Sequence, residues 1–116
     1  MTGEQACERY RIPIEIWREY EGWSWCGTGK EPGGARQYDS RDIQRLSMLM
    51  TLHDIGFDSK EAEAYMRLLL QGDSTQEERI RMLGRKRERI LDEIHSRQAQ
   101  LDRLDYLWYK MKKRRP

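Results

Sequence analysis

Apolar residues recur along most of this chain at spacings of three and four, the period of a helix buried on one face. Thr2 and Gln5 form a capping box, in which each side chain satisfies a free amide at a helix start, and predict a short first helix to about Arg9. The segment Tyr10-Arg11-Ile12-Pro13 breaks it, because proline cannot continue a helix interior but is accepted in the first turn of the next one. A second helix over Ile14 to Glu21 follows. Two short helices joined by so brief a turn read as helix-turn-helix, although other small helical domains contain such pairs. Gly22, Gly27, Gly29, Pro32, Gly33 and Gly34 then exclude a helix and predict a loop or a small β-hairpin wing, with Trp23 and Trp25 packed beneath it.

Asp39 with Asp42 starts a third helix, whose Ile43, Leu46, Leu49, Leu52 and Ile55 share one face. Gly56 stops it. Asp58 and Glu61 cap a fourth helix with Ala62, Tyr65, Met66, Leu69 and Leu70 on its buried side, and Gly72 ends that one. Beyond Asp73 only Gly84 interrupts the helical pattern before Pro116, so the spacing predicts a single helix about 55 to 60 Å long at about 1.5 Å per residue.

The register of this last helix is the strongest pattern in the chain. With Ile80, Arg87, Ile94, Leu101 and Trp108 at heptad position a, and Leu83, Ile90, Arg97, Leu104 and Met111 at d, eight of ten seam positions are apolar. Such a stripe has to be buried against another helix. The four short elements before it are too small to cover its length, which predicts a second copy of the chain and assigns Ile80, Leu83, Ile90, Ile94, Leu101, Leu104, Trp108 and Met111 to dimerisation. Arg87 and Arg97 interrupt the seam, either fixing register through Glu88, Glu93 or Asp102 of the partner or simply snorkelling outward.

Composition narrows the function. At 116 residues there is room for one small domain and an extension, which favours a binding module over a pocketed enzyme. Charged residues at 36% against 37% hydrophobic suit long solvated helices. The net charge of +2 is unevenly spread: residues 1 to 72 carry 9 Lys/Arg and 12 Asp/Glu, residues 73 to 116 carry 13 and 8, with a basic run from Lys110 to Arg115. No stretch approaches the roughly 18 apolar residues of a membrane span, and no signal segment opens the chain, so a cytoplasmic protein with no membrane partner is expected. Cys7 and Cys26 lack metal-ligand spacing, and His53 and His95 are isolated, so no metal or other cofactor is expected. No His, Ser or Cys has a partner at catalytic spacing, and the chain does not read as an enzyme.

Taken in order, the elements resemble the MerR family of bacterial transcription regulators over about residues 2 to 112. Gly3-Glu4-Gln5-Ala6 looks like the start of the family's first helix, and Trp17-Arg18-Glu19-Tyr20-Glu21 is similar to its Leu-Arg-Tyr-Tyr-Glu. Gly34-Ala35-Arg36-Gln37-Tyr38 resembles the wing pattern Gly-Tyr-Arg-x-Tyr, and Leu52-His53-Asp54-Ile55-Gly56-Phe57 resembles Leu-Arg-x-Leu-Gly-Phe. The resemblance implies a mainly α fold, with a winged helix-turn-helix head at 1–72 and a coiled-coil helix with basic tail at 73–116. It further implies an antiparallel homodimer that distorts double-stranded promoter DNA, with RNA polymerase at that promoter as a further partner. Carried over, Arg18, Tyr20, Arg36 and Tyr38 would contact DNA, and Lys60 at a helix start would add a phosphate contact. For Tyr20 and Tyr38 packing is the equal alternative, and Arg18 has Glu15 and Glu21 within reach on its own helix.

Three positions depart from the pattern. Glu15 stands where the family usually has a basic residue, Glu19 replaces a tyrosine, and Ala35 removes the wing's first aromatic group. Carboxylates on the recognition helix repel phosphates, which keeps a second reading open: a protein-interaction dimer of the same fold that has lost most DNA affinity. The resemblance implies no metal sensing, because the family's metal sensors place cysteines at the start and beyond the end of the long helix and this chain has neither. Nor is a C-terminal effector domain expected, as the chain stops at Pro116.

Overall fold

The computed structural model describes residues 1–23, 25 and 37–115. Its elements run α1 (Gly3–Tyr10), α2 (Ile14–Glu21), α3 (Ser40–Asp54), α4 (Ser59–Gln71), a 3-10 turn (Asp73–Thr75) and α5 (Gln76–Arg114). Among the described residues there is no strand, only an isolated antiparallel bridge between Thr2 and Gln37. Most of the expected wing, with Ala35 and Arg36, lies outside the described residues, as does Cys26.

The chain divides into two compact units, Met1–Leu70 and Gln71–Pro116. In the first, local chemistry sets the helix ends. Thr2 and Gln5 exchange both capping-box bonds, at 2.9 and 3.2 Å, and Asp58 and Glu61 do the same at 3.2 and 2.8 Å. Asp39 Oδ1 accepts from the amides of Arg41 and Asp42, while Asp42 Oδ2 accepts from the Asp39 amide. These contacts satisfy amides that a helix start otherwise leaves open. α1 closes on Arg11, the single non-glycine residue with positive φ (54°) among those described, and Gly56 (φ 93°) turns the chain after α3.

The core of this unit gathers Ala6, Ile12, Ile16 and Tyr20 from α1, α2 and their turn with Leu46, Leu49 and Leu52 of α3, Phe57, and Ala62, Tyr65 and Met66 of α4. The expected faces are shifted slightly. Asp42 is enclosed where Ile43 and Ile55 are only half-buried, and on α4 Leu69 is half-buried and Leu70 exposed. Gly3 is buried because Trp17 lies against it: a Cβ there would come within 2.2 Å of the indole nitrogen. Trp23 stacks on Trp25 at 5.1 Å, and Trp25 donates to Glu63 of α4 (3.0 Å) beneath the Arg67 guanidinium. The two indoles thus tie the end of α2 to α4 by packing and one polar contact.

The second unit is different in kind. Thr75 ties down the turn by donating to the Gly72 carbonyl at 2.9 Å, after which α5 runs for 39 residues without burying one of them. At about 1.5 Å per residue it spans about 58 Å. Acidic Glu77 and Glu78 open it and basic Lys112, Lys113 and Arg114 close it, the order that complements a helix dipole. None of the helices among the described residues is long and apolar enough to cross a membrane.

Candidate nucleic-acid interface

The geometry of α2 decides which side chains it offers to a partner. Pro13 sets its first turn, its carbonyl accepting from the amides of Ile16 and Trp17 at 3.0 and 3.2 Å. Ile16 and Tyr20 then point into the core, and the Tyr20 hydroxyl donates to Asp42 Oδ1 at 2.6 Å. Asp42, only 1% exposed, can stay buried because it is hydrogen-bonded on both oxygens. Beside it, Trp17 Nε1 donates to the Tyr38 hydroxyl (2.7 Å) and to Glu21 Oε1 (3.1 Å), and the Tyr38 hydroxyl donates to the same Glu21 oxygen. The Tyr20 and Tyr38 rings meet edge to face, at 6.1 Å and 89°. Tyr38 is held in place from its backbone too, by amide donation to the Met1 carbonyl.

Tyr20 and Tyr38, expected either at DNA or in the packing, are both buried in the head. Their relative exposures are 0% and 4%, and both hydroxyls are engaged within the head. Arg18 is the opposite case. It is exposed, and among the described residues neither Glu15 nor Glu21 pairs with it, Glu21 being turned to Trp17 and Tyr38. With Ile14 and Glu15 it forms the outward side of α2. Lys60 is exposed in the first turn of α4, where Asp58 Oδ1 already accepts from the Glu61 amide. Arg36 lies outside the described residues.

Glu19 does not face outward as a recognition-helix carboxylate would. Its Oε2 lies 2.7 Å from Nε2 of His53 on α3, its side chain is 16% exposed, and its Oε1 is buried without a hydrogen bond. Of the two acidic departures on α2, only Glu15 remains on the exposed side. Sequence reading missed the Glu19–His53 pair because 34 residues separate its members. The available signal was that both stand where the family pattern has other residues.

The Cys7 thiol is pushed above its ordinary value, first by desolvation and then by the Glu4 carboxylate, which lowers its reactivity. Among the described residues no group of His, Cys, Asp and Glu is placed to hold a metal ion.

α5 carries its own surface. Ile80, Leu83, Ile90, Ile94, Leu101, Leu104, Trp108 and Met111 all lie exposed along it, between 36% and 61%. Arg87 reaches its neighbour Glu88 (3.6 Å) and Arg97 donates to Gln100 (3.1 Å), both on the same helix.

An α1-turn-α2 pair braced by α3 and α4, followed by a long exposed helix, is the architecture of a helix-turn-helix regulator. Residues 1–69 match the family model of the MerR HTH family regulatory proteins. The chain belongs to that family. Over 106 residues it is 28% identical to an uncharacterised HTH-type transcriptional regulator of Haemophilus influenzae, covering 90% of this chain and 78% of the relative. Among solved structures it is similar to HiNmlR, a MerR family regulator lacking the sensor domain, crystallised bound to promoter DNA. That likeness has a TM-score of 0.63 and 26% identity, and covers 91% of this chain and 81% of the other. A MerR family transcriptional regulator from Bacillus thuringiensis shares the fold, with a TM-score of 0.62 at 18% identity over 95% of this chain and 97% of its own.

Proposed function

We propose that this protein is a homodimeric, promoter-binding regulator of transcription. Residues 1–72 would form the DNA-binding head, with α2 as recognition helix, and residues 73–116 an antiparallel coiled coil. The observation that carries the reading is the division of α2: Tyr20, Glu19 and Glu21 are tied inward while Arg18 stays exposed and unpaired among the described residues. A family relative lacking a sensor domain binds promoter DNA, which supports the same activity here. Arg18, Arg36 and Lys60 are the proposed phosphate contacts, and RNA polymerase is the proposed further partner at the promoter.

The exposed Glu15 favours the second reading, a dimer of this fold acting mainly through protein contacts, since a carboxylate there opposes phosphate approach. Titration against duplex from upstream of its own gene at two salt concentrations separates the two. A regulator binds this DNA more tightly than random duplex, loses affinity steeply with salt, and has its salt slope lowered by about 1 in Arg18→Ala or Arg36→Ala. Glu15→Gln should strengthen binding. Equal binding to random duplex, indifferent to these substitutions, would leave only the interaction dimer.

A further inference from the structure

Gly84 has no explanation within its own chain. It is the one glycine in the 39 residues of α5, where glycine costs about 1 kcal/mol relative to alanine, and a Cβ built on it meets nothing within 4 Å among the described residues. Its neighbour Leu83 is a seam residue. In a coiled coil each seam side chain enters a hole made by four residues of the facing helix, and the hole centred on Leu83 consists of Ile80, Leu83, Gly84 and Arg87. A hole with glycine as one wall admits a side chain of unusual bulk. The largest residue on the seam is Trp108, 59% exposed.

The two seam arginines restrict how a second copy can lie. In a parallel pair Arg87 would face its own equivalent, and so would Arg97, setting like charges together at a desolvating seam. In an antiparallel pair with Ile80 opposite the partner's Met111, every seam position meets another. Arg87 then lies over the partner's Leu104, Arg97 over the partner's Ile94, and Leu83 meets the partner's Trp108. Moving by one heptad uncovers an end of the seam, and in one direction sets Arg87 against the partner's Arg97. The full-overlap register also carries the basic run from Lys112 over the partner's Glu77 and Glu78.

We propose that α5 pairs with a second copy in this register, and that the indole of each Trp108 seats over Gly84 of the other chain. Arg87, the fourth wall of the hole, gains an indole face to lie on. The inference rests on the dimer reading above but goes beyond it, fixing which residues meet and giving Gly84 a purpose as a specificity socket.

Cross-linking of the full chain with its own thiols removed (Cys7→Ser, Cys26→Ser) tests the register. Ile90→Cys combined with Leu101→Cys should give a disulfide-linked dimer on mild oxidation, and neither substitution alone should. A linked dimer from Ile90→Cys alone means parallel helices and overturns the proposal, as does a dimer by sedimentation that the double variant fails to link. The socket is read separately. Gly84→Leu should weaken dimerisation about ten- to a hundredfold, the effect of overfilling a packed hole, and Trp108→Ala added to it should recover part of the loss. Additive losses overturn the socket. A wild-type chain that sediments as a monomer defeats the dimer reading itself, an outcome distinct from either.

Discussion

The head and α5 obey the same apolar spacing and satisfy it differently. On α3, Leu46, Leu49 and Leu52 recur at helical intervals and are 0%, 0% and 1% exposed. On α5, Leu101 and Leu104 hold equivalent places in an equally regular pattern and are 50% and 61% exposed. Helical periodicity therefore states that a face needs covering, while the cover itself depends on what the rest of the chain can reach. In the head, four helices close on one another around Tyr20, Leu49 and Met66. Along α5 no residue is buried, and the proposed second copy would supply the cover.

Unfolding measurements can break this contrast. Leu49→Ala should cost about 2 to 5 kcal/mol of head stability, because the cavity forms inside one chain, and the loss should not vary with protein concentration. Leu101→Ala should act through association, so its effect on thermal unfolding should grow as the protein is diluted. A concentration-independent loss from Leu101→Ala would place its cover within the chain and end the distinction. Next in size, Gly3→Ala should destabilise the head by about 1 to 3 kcal/mol and change Trp emission, since the new methyl group collides with the Trp17 ring. An unchanged melting curve would mean that Trp17 does not pack against α1 in solution.

What could be read in advance divides along the same line. Helix starts were legible because they are local: Thr2 with Gln5, Asp39 with Asp42 and Asp58 with Glu61 each sit three residues apart, so the spacing alone brings the groups together. The helical course of α5 was legible because its pattern is also local. The second task of Asp42 was not, as its acceptance from Tyr20 spans 22 residues and exists only once α2 lies across α3. Glu19 misled for the same reason. A carboxylate on a recognition helix reads as a repulsive surface charge until His53, 34 residues on, is seen to hold it inward. Arg18 could be placed outward only after Glu21 was found committed to Trp17 and Tyr38.

Two smaller effects sharpen the picture of the head as a self-satisfied unit. Tyr20→Phe removes the hydroxyl that bonds buried Asp42 and should cost about 1 to 2 kcal/mol, with DNA affinity falling less than in Arg18→Ala once the protein is folded. The reverse ranking would mean that Tyr20 reaches the DNA after all.

The smallest effect is a pH dependence at the start of α3. The amide of Asp42 foremost, with that of Arg41 and the Arg41 guanidinium, holds the Asp39 carboxyl below its ordinary value of 3.8. A depressed native pKa means the carboxylate, not the acid, is the form that favours folding. Its contribution is complete above the ordinary value and disappears as the pH falls through the lower native one. Melting temperature followed from about pH 6 to about pH 2.5 should therefore show an acid-side decline that Asp39→Asn flattens, because asparagine caps the helix without titrating. Identical profiles for the two proteins would mean that the carboxylate is not engaged at the cap in solution, and that the start of α3 is held by the packing of Leu46 and Leu49 alone.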